Sequence, residues 1–381
     1  TIVLPATGNS QLPNIAIVMA ESTFDPNRSL KLSRPFRSML FDRQPLTHAL
    51  GPLFVTPIGG GTWMSEFEVL TGMDSRLFGF HGRYTHTMLA PLVKRTLVHA
   101  MREQGYVTTA YYASQANFFN IGKAMEYYGF ERNYPGTALG LNTKGWNITD
   151  PGLMDAALAI ARKDERKGPV FNYFQLVENH SPHSCKKRDT SYQQEITLTG
   201  PATKAHNCQL DTYLDRVKST EVAVRKLMDY FEGVERKTGR PYLLVVFGDH
   251  QPHSFTGTRT EYTGAADFQA MRKAVDPRVT FFHMLGTARK RVQWRDGDMA
   301  PLYLLSTLIG AYVAAKPQQQ FLPVNAKAAA ECGPNLFGTS AALGVDTTYQ
   351  SVLGSTRHGR ACPFIGSMVR SYRRDGLMRL H

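Results

Sequence analysis

Five apolar runs punctuate the chain: Asn14 to Ala20 (NIAIVMA), Val107 to Tyr112, Pro169 to Val177 (PVFNYFQLV), Leu243 to Phe247 and Val279 to Leu285. Each is continuous and rich in β-branched or aromatic residues, the pattern of a strand buried on both faces. Between them the spacing predicts helices over 92–105, from Asp150-Pro151 to about Arg162, from about Asp211 to Glu235, and over Met299 to Val313. Strand–helix alternation of this kind predicts an α/β fold, a mostly parallel sheet sandwiched by helices. Residues 24–50 and 135–150 read as loop with short helix at most. From about Lys316 the chain turns Ala/Gly/Pro/Ser-rich and ends in a predicted hairpin at Asp375-Gly376. The expected division is a main body over 1–315 and a small C-terminal extension over 316–381, without internal repeats.

Polar groups follow these runs directly. The stretch Pro241 to Ser254 (PYLLVVFGDHQPHS) ends its apolar run at Gly248-Asp249-His250. The carboxyl ends of strands are where open α/β sheets place ligands. An oxygen and a nitrogen donor side by side suit a divalent metal; an Asp–His turn with ordinary hydrogen bonds is the plain alternative. Glu21 follows the first run, as a ligand or a helix-start residue. Glu178-Asn179-His180-Ser181-Pro182-His183 follows the third, and His253 lies three residues beyond His250. Gly59-Gly60-Gly61-Thr62 leads into the helix-forming EFEVLTGM, a glycine turn into a helix start that favours an anion. Thr62 there is an N-cap or a hydroxyl that a metal activates as nucleophile. No Gly-Lys-Ser/Thr follows, so this is not a Walker A loop.

Composition narrows the partners. Lys plus Arg number 44 and Asp plus Glu 31, a formal net charge of +13 over 381 residues. A basic surface suggests an anionic partner. Without a Lys/Arg block interleaved with aromatics, phospholipid head groups or a phosphorylated substrate are favoured over nucleic acid. No apolar run reaches the ~18–20 residues that cross a bilayer, and no signal peptide opens the chain. The four cysteines form sequence-local pairs, Cys185 with Cys208 and Cys332 with Cys362, around polar segments with no zinc-type spacing. Two disulfides in an oxidising compartment are the expectation.

Together, IVMAES, the glycine loop ending in Thr62-Trp63, ENHSPH, FGDHQP and the 298–312 segment resemble the alkaline phosphatase superfamily. The resemblance is to its lipoteichoic acid synthase-like, sulfatase-fold branch and spans about residues 14–315. It implies that Glu21, Thr62, Asp249 and His250 hold one manganese or zinc ion, with Thr62 also the nucleophile. It implies a phospholipid donor, with phosphoglycerol passing through phospho-Thr62 to a periplasmic glycan hydroxyl and His180 or His253 moving a proton. His180, Asn179, His183, Phe119 and Lys123 are the implied substrate contacts. Sulfatases mature a Cys or Ser within Cys/Ser-x-Pro-x-Arg; Thr62-Trp63-Met64-Ser65-Glu66 lacks that proline and arginine, which disfavours sulfate ester hydrolysis. Lipoteichoic acid synthases hold glycerol phosphate with a Trp and an Arg where this chain has Phe119 and Ile121; Lys123 is a substitute cation. Phe118, Phe119, Tyr127 and Tyr128 meet lipid or pack in the core. Such relatives are membrane-anchored through N-terminal helices, so a periplasmic domain of a membrane protein is expected. The alternatives are phosphoethanolamine transfer to a glycan or lipid A, and a non-catalytic envelope scaffold.

Overall fold

The apolar runs form the middle of one eight-stranded sheet. The computed structural model describes residues 11–144, 147–164, 168–185, 195–256, 268–313, 322–333, 336 and 362–376. Its strands are β1 (Asn14–Ala20), β2 (Thr47–Phe54), β3 (Val107–Tyr112), β4 (Arg132–Pro135), β5 (Val170–Gln175), β6 (Tyr242–Gly248), β7 (Val279–Leu285) and β8 (Ala300–Pro301). They are ordered β4-β3-β5-β1-β6-β7-β2-β8. From β4 to β6 every neighbour is parallel. β7 is antiparallel to both β6 and β2.

β1 and β6 are buried at every position, as strands covered on both faces must be. Along β1 alternate side chains serve opposite cores. Ile15, Ile17 and Met19 pack under α1 (Thr62–Thr71), α2 (Leu97–Glu103) and α3 (Ile121–Tyr128). Ala16, Val18 and Ala20 pack under α4 (Asp150–Ala161) and the long α5 (Lys204–Thr238). The first face is extended by α6 (Leu304–Gly310), α7 (Leu322–Cys332) and α8 (Ile365–Ser371), which contribute Leu305, Ala328 and Met368. Asn325 of α7 donates to the Gly72 carbonyl at the end of α1 (2.6 Å) and accepts from the Tyr372 hydroxyl (2.7 Å). This satisfies a helix-terminal carbonyl that would otherwise be buried without a partner. Disulfides close Cys185–Cys208, tying the segment after β5 to α5, and Cys332–Cys362.

Several expectations are corrected. β2 begins at Thr47, inside the 24–50 stretch expected as loop and short helix, and Arg132–Pro135 is an edge strand. The helix predicted over 92–105 is confined to Leu97–Glu103, and that over Met299 to Val313 opens with β8 before Leu304–Gly310. The helix expected from Asp211 starts at Lys204. Asp375-Gly376 closes a helical turn over Tyr372–Gly376, not a hairpin. Among the described residues no helix is long and apolar enough to cross a membrane.

One close approach fixes how β1 and β6 end. Ala20 pairs with Gly248, and a Cβ on Gly248 would lie 1.8 Å from the Thr23 carbonyl oxygen. No side chain fits there, so the two strands finish side by side. Gly248→Ala is predicted to lower stability by about 3 kcal/mol or more by overpacking against backbone. An unchanged midpoint in urea unfolding would contradict this register.

Candidate active site

The shared register puts the residues after β1 and β6 together. Glu21, Asp249 and His250 are buried, and one ligand atom from each lies within 4.8 Å of the others. Asp249 Oδ1 accepts the Ser22 and His250 main-chain N–H groups (2.7 and 2.9 Å), while its Oδ2 has no hydrogen-bond partner among the described residues. Glu21 Oε1 accepts from the Ser22 hydroxyl at 2.7 Å, and Ser22 adopts a left-handed backbone to make these bonds (φ 51°). His250 Nδ1 meets the Gln251 carbonyl at 3.0 Å. That bond sets the tautomer and leaves Nε2 as the ligand atom, 3.4 Å from Glu21 and 3.3 Å from Asp249. Two buried carboxylates, an unsatisfied oxygen and an oriented imidazole are a donor set that fits a divalent cation.

Thr62 completes the group from the opposite side. Gly59, Gly60 and Gly61 all have positive φ (67°, 149° and 99°), backbone that only glycine adopts without cost. The turn delivers Thr62 as the first residue of α1, half-buried, with Oγ1 3.3 Å from Glu21 Oε2. The N–H groups and positive dipole end of α1 therefore face the same space as the carboxylates.

The other expected residues fall into separate roles. His180 is half-buried; its ring meets the Ser181 carbonyl, and its own carbonyl accepts from Arg216 (2.8 Å). His253 packs on the glycine turn, its Nδ1 2.3 Å from where a Cβ on Gly59 would stand. Asn179 and His183 are buried and bonded to each other (3.1 Å), Asn179 also to Thr23 (3.2 Å) and His183 to Ser254 (3.3 Å). These bonds tie the segment after β5 to Thr23 after β1 and to Ser254 after β6. Lys123 is exposed and paired with Glu126 (2.8 Å), and Phe119 is half-exposed and stacked on Trp63 (4.1 Å between centroids). Tyr128 is buried, whereas Phe118, Phe119 and Tyr127 are exposed.

Glu66, one helical turn beyond Thr62, is a buried carboxyl to which sequence reading assigned no role. It accepts from Tyr173 (2.9 Å) and Gln175 (3.1 Å) of β5, and its other oxygen lies 3.2 Å from His86 Nε2. The i, i+4 spacing from Thr62 was the available signal.

Burial raises Asp249 to about 7, with the Glu21 charge adding and His250 opposing. Burial also raises Glu66 to about 8, helped by Asp249 and Glu21 against the Tyr173 hydrogen bond. For His250, burial opposes the charged ring, but Asp249 and Glu21 outweigh it and the net shift is upward. Both acids lie above their ordinary 3.8 and 4.5, so the cation-free fold holds protons that the unfolded chain releases. The stability they contribute is full below about pH 4 and is lost as pH rises through 7 to 8. A cation replaces those protons, and its affinity rises with pH. Melting of cation-free protein is thus predicted to fall from pH 5 to 8, with Mn²⁺ raising it more at pH 8 than at pH 5. Glu21→Gln or Asp249→Asn should abolish the Mn²⁺ effect; equal Mn²⁺ shifts at both pH values would contradict this site.

Comparison with known proteins agrees with this architecture. The sulfatase family model matches residues 13–309. A putative cyclic β-1,2-glucan modification protein of Rhizobium meliloti is 28% identical over 258 residues, 65% of this chain and 37% of that protein. The chain spans less than half the length of the curated relatives it matches. Three solved structures share the fold. The phosphoglycerol transferase GacH of Streptococcus pyogenes, in complex with sn-glycerol-1-phosphate, has a TM-score of 0.61 at 15% identity, covering 97% of this chain and 87% of its own. The lipoteichoic acid synthase LtaP of Listeria monocytogenes scores 0.59 at 15% identity, covering 83% and 76%. The C-terminal periplasmic domain of EptC from Escherichia coli, in complex with zinc, scores 0.54 at 13% identity, covering 84% and 89%. With its family model matched over most of its length, the chain belongs to the sulfatase family.

Proposed function

We propose that the chain is the periplasmic catalytic domain of a membrane-anchored transferase that moves phosphoglycerol from phosphatidylglycerol to a glycan hydroxyl through phospho-Thr62. The observation that carries this reading is Thr62 at the start of α1, hydrogen-bonded to Glu21 within the Glu21–Asp249–His250 cluster. Thr62 stands where sulfatases use a matured Cys or Ser, so phosphoryl rather than sulfate chemistry is favoured. GacH was solved with sn-glycerol-1-phosphate and the Rhizobium relative is named for glucan modification; both support the donor and acceptor classes. Residues 1–315 are proposed as the catalytic body and 316–381 as its C-terminal brace.

A divalent cation, manganese or zinc, held by Glu21, Thr62, Asp249 and His250 would supply the positive charge that acidifies the Thr62 hydroxyl and offsets phosphoryl charge. Thr62 gives its proton to Glu21 Oε2 and attacks phosphorus in line. The bond from phosphorus to Thr62 Oγ1 forms as the bond to diacylglycerol oxygen breaks, and that oxygen takes a proton from His253, beside the glycine turn. The N–H groups at the start of α1 hold the phosphoryl oxygens throughout. A glycan hydroxyl then loses its proton to the same histidine and attacks phosphorus. The Thr62 ester breaks, and Thr62 recovers its proton from Glu21. His180 holds the head group.

Thr62→Ala should lower transfer about 10³-fold or more at a stability cost of at most about 2 kcal/mol. Wild-type protein given phosphatidylglycerol without acceptor should carry a phosphoglycerol adduct on Thr62 by peptide mass spectrometry. Transfer in Thr62→Ala within a few-fold of wild type would remove Thr62 as nucleophile. A phosphoethanolamine adduct alone, from mixed micelles containing both lipids, would reject the head-group assignment.

A further inference from the structure

The large hydrophobic side chains exposed among the described residues are Phe80 (62%), Tyr84 (46%), Phe118 (41%), Phe119 (50%) and Tyr127 (42%). All belong to two segments, 80–84 and 118–127, and Trp63 joins these into one patch. Its indole N–H donates to the Arg83 carbonyl at 2.6 Å, and its ring stacks on Phe119. Phe118 sits edge-on to Phe119 at 4.8 Å, and Phe80 lies 5.3 Å from Tyr84. Asn120 donates to the His86 carbonyl, two residues past the first segment (3.2 Å). The patch therefore starts one residue from Thr62.

The backbone is held in a costly form to make this surface. Phe119 and Asn120 both adopt left-handed conformations (φ 43° and 61°), uncommon for non-glycine residues and strained for a bulky one. The strain points an apolar ring outward, the reverse of what burial favours. Each segment carries a basic residue: Arg83 in the first, and Lys123, paired with Glu126, between Phe119 and Tyr127 in the second. The rings do not form the flat shelf that a sugar face stacks on. Phe118 is at 87° to Phe119, and Phe80 at 54° to Tyr84. Angled apolar rings with tyrosine hydroxyls and a basic residue in each segment suit the boundary between acyl chains and head groups. The net charge of +13 complements an anionic leaflet.

We propose that this aromatic rim is a lipid-facing surface, seating in an anionic phospholipid layer and bringing Thr62 to the head groups. It rests on the reading of the site as a phospholipid head-group transferase. It adds the face through which this domain itself meets the membrane.

The test is co-sedimentation with vesicles of equimolar phosphatidylserine and phosphatidylcholine, which are anionic without carrying the donor. Wild type and Thr62→Ala should sediment alike. The triple variant Phe80→Ser/Tyr84→Ser/Phe118→Ser should bind about tenfold more weakly, as expected when interfacial apolar area is lost. Phe80→Ser alone, at the most exposed position, should weaken binding measurably if the triple variant fails to fold. Both should turn over monomeric short-chain phosphatidylglycerol as wild type does. No sedimentation of wild type, or sedimentation of the folded variants like wild type, would overturn the proposal. So would variants that sediment normally but lose retention on soluble β-glucan, which would assign the rim to the acceptor. If sedimentation follows expectation while Thr62→Ala still transfers head groups, the transferase reading falls and the lipid surface stands.

Discussion

The structure turns on two carboxylates buried against each other. Because Ala20 and Gly248 pair at the ends of β1 and β6, Glu21 and Asp249 emerge side by side at the same sheet edge. Neither fold energetics nor solvation favours such a pair alone. Unpaired buried charge costs several kcal/mol per ion, and the main-chain N–H groups of Ser22 and His250 satisfy only one oxygen of Asp249. Protons or a cation must supply the rest. Burial raises Asp249 and Glu66, and the charge of this pair adds to both shifts.

The remaining architecture brings a nucleophile to this charge. β7 reverses direction between β6 and β2, so β2 finishes at the same edge as β1 and β6. The glycine turn after β2 then carries the chain back to start α1 over the carboxylates. Glu66 anchors the helix one turn below Thr62, through Tyr173 and Gln175 on β5. Asp150 and Glu178 anchor the end of β5 by exchanging main-chain hydrogen bonds and reaching Thr220 and Ser219 on α5. Each ligand-bearing end is thus braced by a buried polar contact rather than by loop packing alone.

Much of this was legible in the residues because the central strands are continuous apolar runs and their ends carry the chemistry. Glu21, Thr62, Asp249 and His250 stood out from position alone, and the structure gathers them. β2 was not legible because Gly51 and Pro52 interrupt its pattern. Pro52 is tolerated because β8 pairs only with Leu53 and Phe54, leaving the strand a single partner at Pro52. β4 is a four-residue edge strand, half-buried throughout, with no periodicity to find. The early start of α5 rests on a capping box in which His206 takes the place usually held by Glu or Gln. The hydrogen bonds that Asn179 and His183 make to each other were not legible, because no spacing in the sequence announces them. The exposed rings of the 118–127 segment were ambiguous for another reason: aromatics are commonest in cores, and here a strained turn holds them out.

The central claim is that Glu21, Thr62, Asp249 and His250 share one divalent cation. Anomalous diffraction from crystals soaked in Mn²⁺ tests it most directly. The predicted result is a single strong peak within about 2.0–2.4 Å of a Glu21 oxygen, Thr62 Oγ1, an Asp249 oxygen and His250 Nε2. A fully occupied peak elsewhere, or none at this cluster at pH 8, would contradict it.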